Sequence, residues 1–321
     1  MTVERRFIET VRREDLLPRG IRVVAAVSGG SDSVGMLLLL DRFSRHMKWT
    51  VSVLHVDHGM RPDSGRDAAF VEELANDLRI EFRLRSLPRR ARSAKSPEAE
   101  FSAIRQAIYE DEAGEGGLVA VAHTASDRAE TLLLRLLEGS GLRGLGGMDY
   151  RGVGPVRRPV LDLTRTDLAG YVALRGMTWV EDETNAERRF TRNRIRRGIL
   201  AALEEEFPGC TLRLAASSAN LASWRRMADS ATAAALCGAC LTVDGCRKLD
   251  RPAFASIDRA VRISMLWELC GRPRSGLREL EKADRWIASG GTGSKVLPGG
   301  MVMEAFADRL EIREGRRDRW S

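Results

Sequence analysis

The chain has 321 residues, 43% hydrophobic and 30% charged, with a net charge of +7 and a pI near 9.5. That length exceeds one small core and predicts two domains. No apolar run approaches the ~20 residues that span a bilayer, and five cysteines from Cys210 onward make no disulfide framework in a chain this long.

Of the 52 basic residues 47 are arginine, which fits a polyanionic partner or GC-rich codon usage equally well. Near the N-terminus Val3, Phe7, Val11 and Leu16 recur at roughly helical spacing, and Pro18-Arg19-Gly20 ends that helix. Neither a secretory apolar region nor a cleavage site is present there, so a cytoplasmic location is expected, without a membrane. Residues 23–27 are small or β-branched and read as a strand buried on both faces. Residues 28–33 then turn into a helix through 34–40. Strands at 50–56, 82–87 and 118–122 alternate with helices at 64–78, 98–113 and 126–137. This alternation predicts an α/β fold, a doubly wound parallel sheet with its first strand central and ligands at the carboxyl ends of the strands.

Residues 139–147 hold five glycines, and a helix is expected over 166–175. An acidic turn at 181–185 precedes Arg188, Arg189, Arg192, Arg194, Arg196 and Arg197. Residues 200–235 read as largely helical with a break at Pro208-Gly209. Helices at 257–269 and 277–288 and short strands at 295–297, 301–306 and 310–313 complete the chain. The expected division is 1–210 for a catalytic domain and 211–321 for a smaller, mostly helical domain ending in short strands. Trp224 and Trp267, within helices, are expected in the core. Cys237 and Cys240 have metal-ligand spacing without a second pair or a histidine nearby, and read as small buried thiols near a helix end.

The chemistry begins at Ser28, Gly29, Gly30, Ser31, Asp32 and Ser33. Glycines let backbone N–H groups approach an anion, and the helix start favours negative charge. No Gly-Lys occurs, so this is no Walker loop, and G-x-G-x-x-G is not met either. Asp32 would repel phosphate unless a divalent cation intervened, so a nucleotide with Mg2+ is implied, Asp32 being the metal ligand. An ordinary Asp and Ser helix cap satisfies the same residues. His55, Asp57 and His58 follow the second strand, and His123, Asp127 and Glu130 follow the fourth. One ridge of the sheet collects these side chains.

The hexapeptide resembles the signature of the PP-loop ATP pyrophosphatases. The segments 55–61 and 123–131, then Arg158-Pro159-Val160-Leu161, 182–185 and 192–196, are similar in order and spacing to motifs of the tRNA(Ile)-lysidine synthetase family. The likeness spans residues 20–200, with only Leu297-Pro298-Gly299-Gly300 matching beyond. It implies ATP-dependent ligation of free L-lysine to C2 of the wobble cytidine of isoleucine tRNA (anticodon CAU), through an adenylated base with release of pyrophosphate and AMP. It implies ATP contacts from 28–33, His55, Asp57 and His58, catalytic roles for Asp32, His123, Asp127 and Arg105, and lysine binding by Asp127 and Glu130. The arginines of 188–197 would hold tRNA phosphates. A homodimer is compatible with this reading. Ser126 stands where the family usually has an acid and Arg128 where it usually has Gln, which shifts the local charge by two units. A tRNA thiolation enzyme of the same superfamily and a lapsed tRNA-binding homologue are the alternative readings. The first would call for cysteines near the ridge, and none precedes Cys210.

Overall fold

A computed structural model describes residues 1–57, 64–87, 97–181, 191–243, 245–273 and 276–315. Two compact units, Met1–Ala222 and Ser223–Ser321, divide within one long helix.

In the first unit, five parallel strands form a sheet in the order β3-β2-β1-β4-β5: β1 Arg22–Ala26, β2 Thr50–Asp57, β3 Glu81–Ser86, β4 Leu118–Val121 and β5 Val156–Arg157. The expected central position of the first strand is met, and the two-residue fifth strand is an addition that no sequence pattern announced. Strand period places Val23 and Ala25 on one face and Val24 and Ala26 on the other. Val23, Ala25 and Val27 join Leu37, Leu40, Leu161 and Leu168 in the larger core. Val24 joins Leu54, Val119 and Val121 in the smaller one. Both faces are covered because crossover helices lie on both, which is why the strand reads as an unbroken apolar run.

The helices of this unit are α1 Val3–Arg13, α2 Ser31–Met47, α3 Ser64–Asp77, α4 Pro97–Ala113, α5 Ala125–Leu137, α6 Leu142–Leu145, α7 Arg165–Leu174, α8 Thr191–Arg194, α9 Ala201–Glu206 and the first half of α10 Cys210–Ala239. A π-helical turn, Ile195–Leu200, joins α8 to α9. Gly35 lets α2 and α7 approach closely: a Cβ there would lie 3.0 Å from Leu168 Cδ2. This contact sets the first turn of α7 beside the first turn of α2, and the site depends on it.

The second unit is an antiparallel sheet, β6-β7-β10-β9-β8, with α11 Arg251–Ser256, α12 Arg259–Leu269 and α13 Leu277–Ala288. Its strands are β6 Cys240–Val243, β7 Cys246–Asp250, β8 Gly293–Leu297, β9 Met301–Ala305 and β10 Arg309–Glu314. The β6–β7 hairpin stands where only a helix end was expected. Cys240 opens β6 and Cys237 is exposed, so the pair is not the buried thiols that were anticipated. Among the described residues no group of three or more His, Cys, Asp or Glu side chains is placed to hold a metal ion by itself. Trp267 packs against this unit's core, but Trp224 is 59% exposed and is no core residue. No helix among the described residues is long and apolar enough to cross a membrane.

Candidate active site

The loop that follows β1 is braced by its own side chains. Ser33 Oγ donates to Gly30 O at 2.9 Å and accepts from Ser28 N at 3.2 Å. Gly29 has φ +95°, in the left-handed region that favours glycine, and its carbonyl accepts from Val180 N at 2.9 Å. Gly30 is the N-cap of α2, so the first-turn N–H groups around Ser31 and Asp32 face the loop's mouth. At the end of β2, buried His55 donates Nδ1–H to Val27 O at 2.8 Å. It ties the last residue before the loop to the neighbouring strand. Asp57 ends the same strand, half-buried. His58 lies outside the described residues.

Across the ridge, Thr124 and Asp127 form a capping box at the start of α5: Thr124 N and Oγ1 both donate to Asp127 Oδ2, at 2.8 and 2.9 Å. That engages one oxygen of Asp127 and turns the other, Oδ1, toward the site. Glu130 lies one turn on, 1% exposed. These two carboxylates lie three residues apart on one face of α5. Arginines cage them. Arg165, the first residue of α7, reaches three acids at once: Nε to Asp32 Oδ2 at 3.2 Å, Nη1 to Glu130 Oε1 at 2.6 Å, and Nη2 to Asp127 Oδ1. Arg192 contacts Glu130 at 3.0 Å and Asp127 at 3.2 Å, and Arg196 contacts Glu130 at 2.8 Å.

The electrostatics follow from this packing. Burial pushes the Asp32 carboxyl up to about 6 against the pull of Arg165, with Asp127 adding to the rise. For Asp127 burial acts in the same upward sense, but Arg165, the Thr124 N–H and Arg192 outweigh it and hold it below the ordinary carboxylate range. Burial also raises Glu130, and the bonds to Arg196 and Arg165 reverse it. Burial, then neighbouring Arg158, lowers His123 to about 4. Arg158 Nε donates to His123 Nδ1 at 3.2 Å, so the neutral ring carries its proton on Nε2. A histidine NMR titration of the four residues should therefore show one imidazole neutral throughout pH 6–8. In Arg158→Gln that resonance should titrate higher but stay below 6.5, because burial persists. A wild-type set with all four near 6.5 would contradict the geometry.

The PP-loop domain family matches residues 2–203 of this chain. A tRNA(Ile)-lysidine synthase from Parasynechococcus marenigrum is 33% identical over 318 residues, covering 93% of this chain and 90% of that relative. The chain belongs to the tRNA(Ile)-lysidine synthase family. Membership makes it a ligase-type enzyme with an ATP-binding PP-loop domain. The tRNA(Ile)-lysidine synthase of Synechococcus sp. is 35% identical over 68% of this chain and 67% of its own length. That of Chromobacterium violaceum is 39% identical over 56% of this chain and 42% of its own. The chain thus spans about two fifths to two thirds of the length of these two relatives. Among solved structures, the U34-tRNA thiolase NcsA from Methanococcus maripaludis with its [4Fe-4S] cluster aligns with a TM-score of 0.57 at 18% identity. The alignment covers 69% of this chain and 78% of that one, a likeness of fold.

Within this lysidine synthase family member, the ridge brings together Asp32, His123, Asp127 and Glu130, with His55 bracing the loop from below. Arg105 is exposed on α4, near enough for its charge to act on His123. Of the arginines expected on tRNA phosphates, Arg192 and Arg196 contact the carboxylates, Arg192 while 47% exposed, and Arg194 and Arg197 are also exposed. Arg188, Arg189 and the acidic turn at 182–185 lie outside the described residues. Arg165 is absent from the sequence-derived set. Its signal was a cation at the first position of a Thr-capped helix, where the helix dipole favours an acid. Ser126, in place of the usual acid, accepts from Arg165 N at 3.3 Å and helps to seat that residue.

Proposed function

We propose that this chain joins lysine to C2 of the wobble cytidine of an isoleucine tRNA with a CAU anticodon. The C2 oxygen attacks the α-phosphorus of ATP and pyrophosphate leaves. The ε-amine of lysine then adds to C2 and gives up a proton, and the C2–O bond breaks with loss of AMP. Adenylation is needed because the C2 oxygen is a poor leaving group, whereas AMP is a good one. The observation that carries this reading is the mixed cage beside the pyrophosphate loop, with three arginines and three carboxylates at one point of the ridge. A zwitterionic amino-acid head suits such a cage: its α-ammonium takes Asp127 and Glu130, and its carboxylate takes guanidinium groups released from them. The ε-amine is then left free to react.

The residues present also fit Mg2+. Asp32 Oδ1 is buried without a hydrogen-bond partner, and Mg2+ is commonly held through one or two carboxylates together with substrate phosphates. Bound there, the cation would neutralise charge on the departing pyrophosphate. The N–H groups of 29–32 hold the same charge from the loop side. His123 offers Nε2–H as a neutral donor to the α-phosphate or the C2 oxygen. Arg105 adds positive charge nearby, and Asp57 completes the nucleotide pocket beside His55.

Exposed Arg194 and Arg197 are assigned to tRNA phosphates. Replacing both with Ala should flatten the salt dependence of tRNA binding by about two phosphate contacts while leaving the KM for lysine unchanged. Arg192→Ala should instead move that KM. An unaltered salt slope in the double variant would remove Arg194 and Arg197 from the tRNA surface.

The function itself is tested with unmodified isoleucine tRNA, ATP, Mg2+ and lysine, followed by digestion and mass spectrometry of the nucleosides. Cytidine heavier by lysine less one water is the expected product. No such gain would sink the reading, and a sulfur-for-oxygen gain with a sulfur donor would replace it with base thiolation.

A further inference from the structure

Behind α5, on the face opposite Asp127 and Glu130, lies a cavity of about 370 Å3 that no step of the proposed reaction uses. One stripe of α1 at helical spacing presents Arg6, Thr10 and Arg13 to it, whereas Phe7 and Val11 of the same helix are buried in the core. The facing stripe of α10 presents Ala215, Ala216 and Ala219. Methyl-sized side chains on that stripe are what leave the space open.

Its floor is Arg128, 1% exposed. Neighbouring Asp162 is already satisfied, by Thr10 Oγ1, Arg13 Nη2 and Tyr150 Oη, each at 2.7 Å. Arg128 is not. Its Nε donates to Met148 O at 3.2 Å, its Nη1 reaches Asp162 only at 3.6 Å, and its buried Nη2 has no hydrogen-bond partner. The guanidinium lies over the Tyr150 ring, 4.5 Å from its centroid. A buried cation with an unmet donor is costly until an acceptor reaches it. Three arginines against Glu9 and Asp162 leave the lining positive.

We propose that this cavity binds a small carboxylate with an apolar body, the carboxylate on Arg128 and the body against the alanine stripe of α10. A cavity of this volume falls in the range used for small ligands, and its walls divide in the same sense as the ligand. Ala125 and Arg128 share α5 with Asp127 and Glu130, so occupancy bears on the helix that carries the acids. The expected consequence, a changed KM for lysine, rests on the proposed function; binding itself does not.

The test is titration of the full chain with benzoate, benzamide and inorganic phosphate, followed by calorimetry. Benzoate should saturate one site, with neutral benzamide and phosphate each about tenfold weaker or more, the worth of one charge-assisted hydrogen bond. Arg128→Gln should weaken benzoate by a similar factor. Ala216 is exposed, so Ala216→Leu keeps the fold and should block the site from the opposite wall even where Arg128→Gln does not fold. Equal affinity for benzoate and benzamide, phosphate binding tighter than benzoate, or unchanged benzoate affinity in Ala216→Leu would overturn the site. Benzoate binding with an unmoved lysine KM would support the site and overturn its coupling to α5.

Discussion

Asp32→Asn should lower pyrophosphate release by about a hundredfold or more while making the protein more stable at neutral pH. The first effect follows from losing the carboxylate that would hold Mg2+ against the departing pyrophosphate, where single electrostatic groups are worth about 10²–10³ in rate. The second follows from the raised carboxyl. An acid whose folded value is about 6 against 3.8 binds its proton more tightly when native, so wild-type stability falls as pH rises from about 4 to 6 and stays low above. At about 1.4 kcal/mol per unit, asparagine recovers up to about 3 kcal/mol at pH 7. His123 acts with the opposite sign. Its folded value of about 4 lies below 6.5, so stability from this group is lost as pH falls through that window. The two nearly offset each other in the wild type. Asp32→Asn should therefore unmask a stability that climbs with pH between 4 and 6.5. Urea unfolding across pH in metal-free buffer checks this, and an asparagine variant no more stable than wild type at pH 7 would refute the burial argument.

Arg165→Ala should be the most destabilising single change at the ridge, by about 3–5 kcal/mol, because it strips one cation from buried acids on two other helices. Arg192 and Arg196 remain on Asp127 and Glu130, which places the expected value toward the lower end. Arg165 is the strongest pull holding the Asp32 carboxyl down, so without it that carboxyl should rise further. Arg165→Lys should recover little, since one ammonium cannot meet three carboxylates from a forked plane. Urea midpoints and the lysine KM are the readouts. A loss under about 1 kcal/mol would mean that the arginine cage is decorative.

Much of the fold was legible because its signals are local. A five-residue apolar run followed by Ser-Gly-Gly names a buried strand and an anion loop together, and the strand–helix rhythm fixes β1 at the centre. The second sheet was legible only in part. Its last three strands alternate visibly, whereas the β6–β7 hairpin is short and polar and follows a 30-residue helix without a proline. At the site, the loop, His123 and the acids of α5 could be read from spacing, but their partners could not. Arg165 is 133 positions from Asp32, and only the packing of α2 on α7 at Gly35 brings them together. Counting charge between 188 and 197 suggested a phosphate footprint. A count carries no information on which arginines already have carboxylates, and Arg192 and Arg196 do.

Asp127 answers to two independent demands. One of its oxygens starts a helix and the other faces the cage. A descendant that abandoned its chemistry would still need a capping acid at this position, whereas Glu130, with no part in the helix start, would be free to drift. Retention of an acid at 127 is therefore a poor witness to surviving activity, and Glu130 is the better one. Here Glu130 is present.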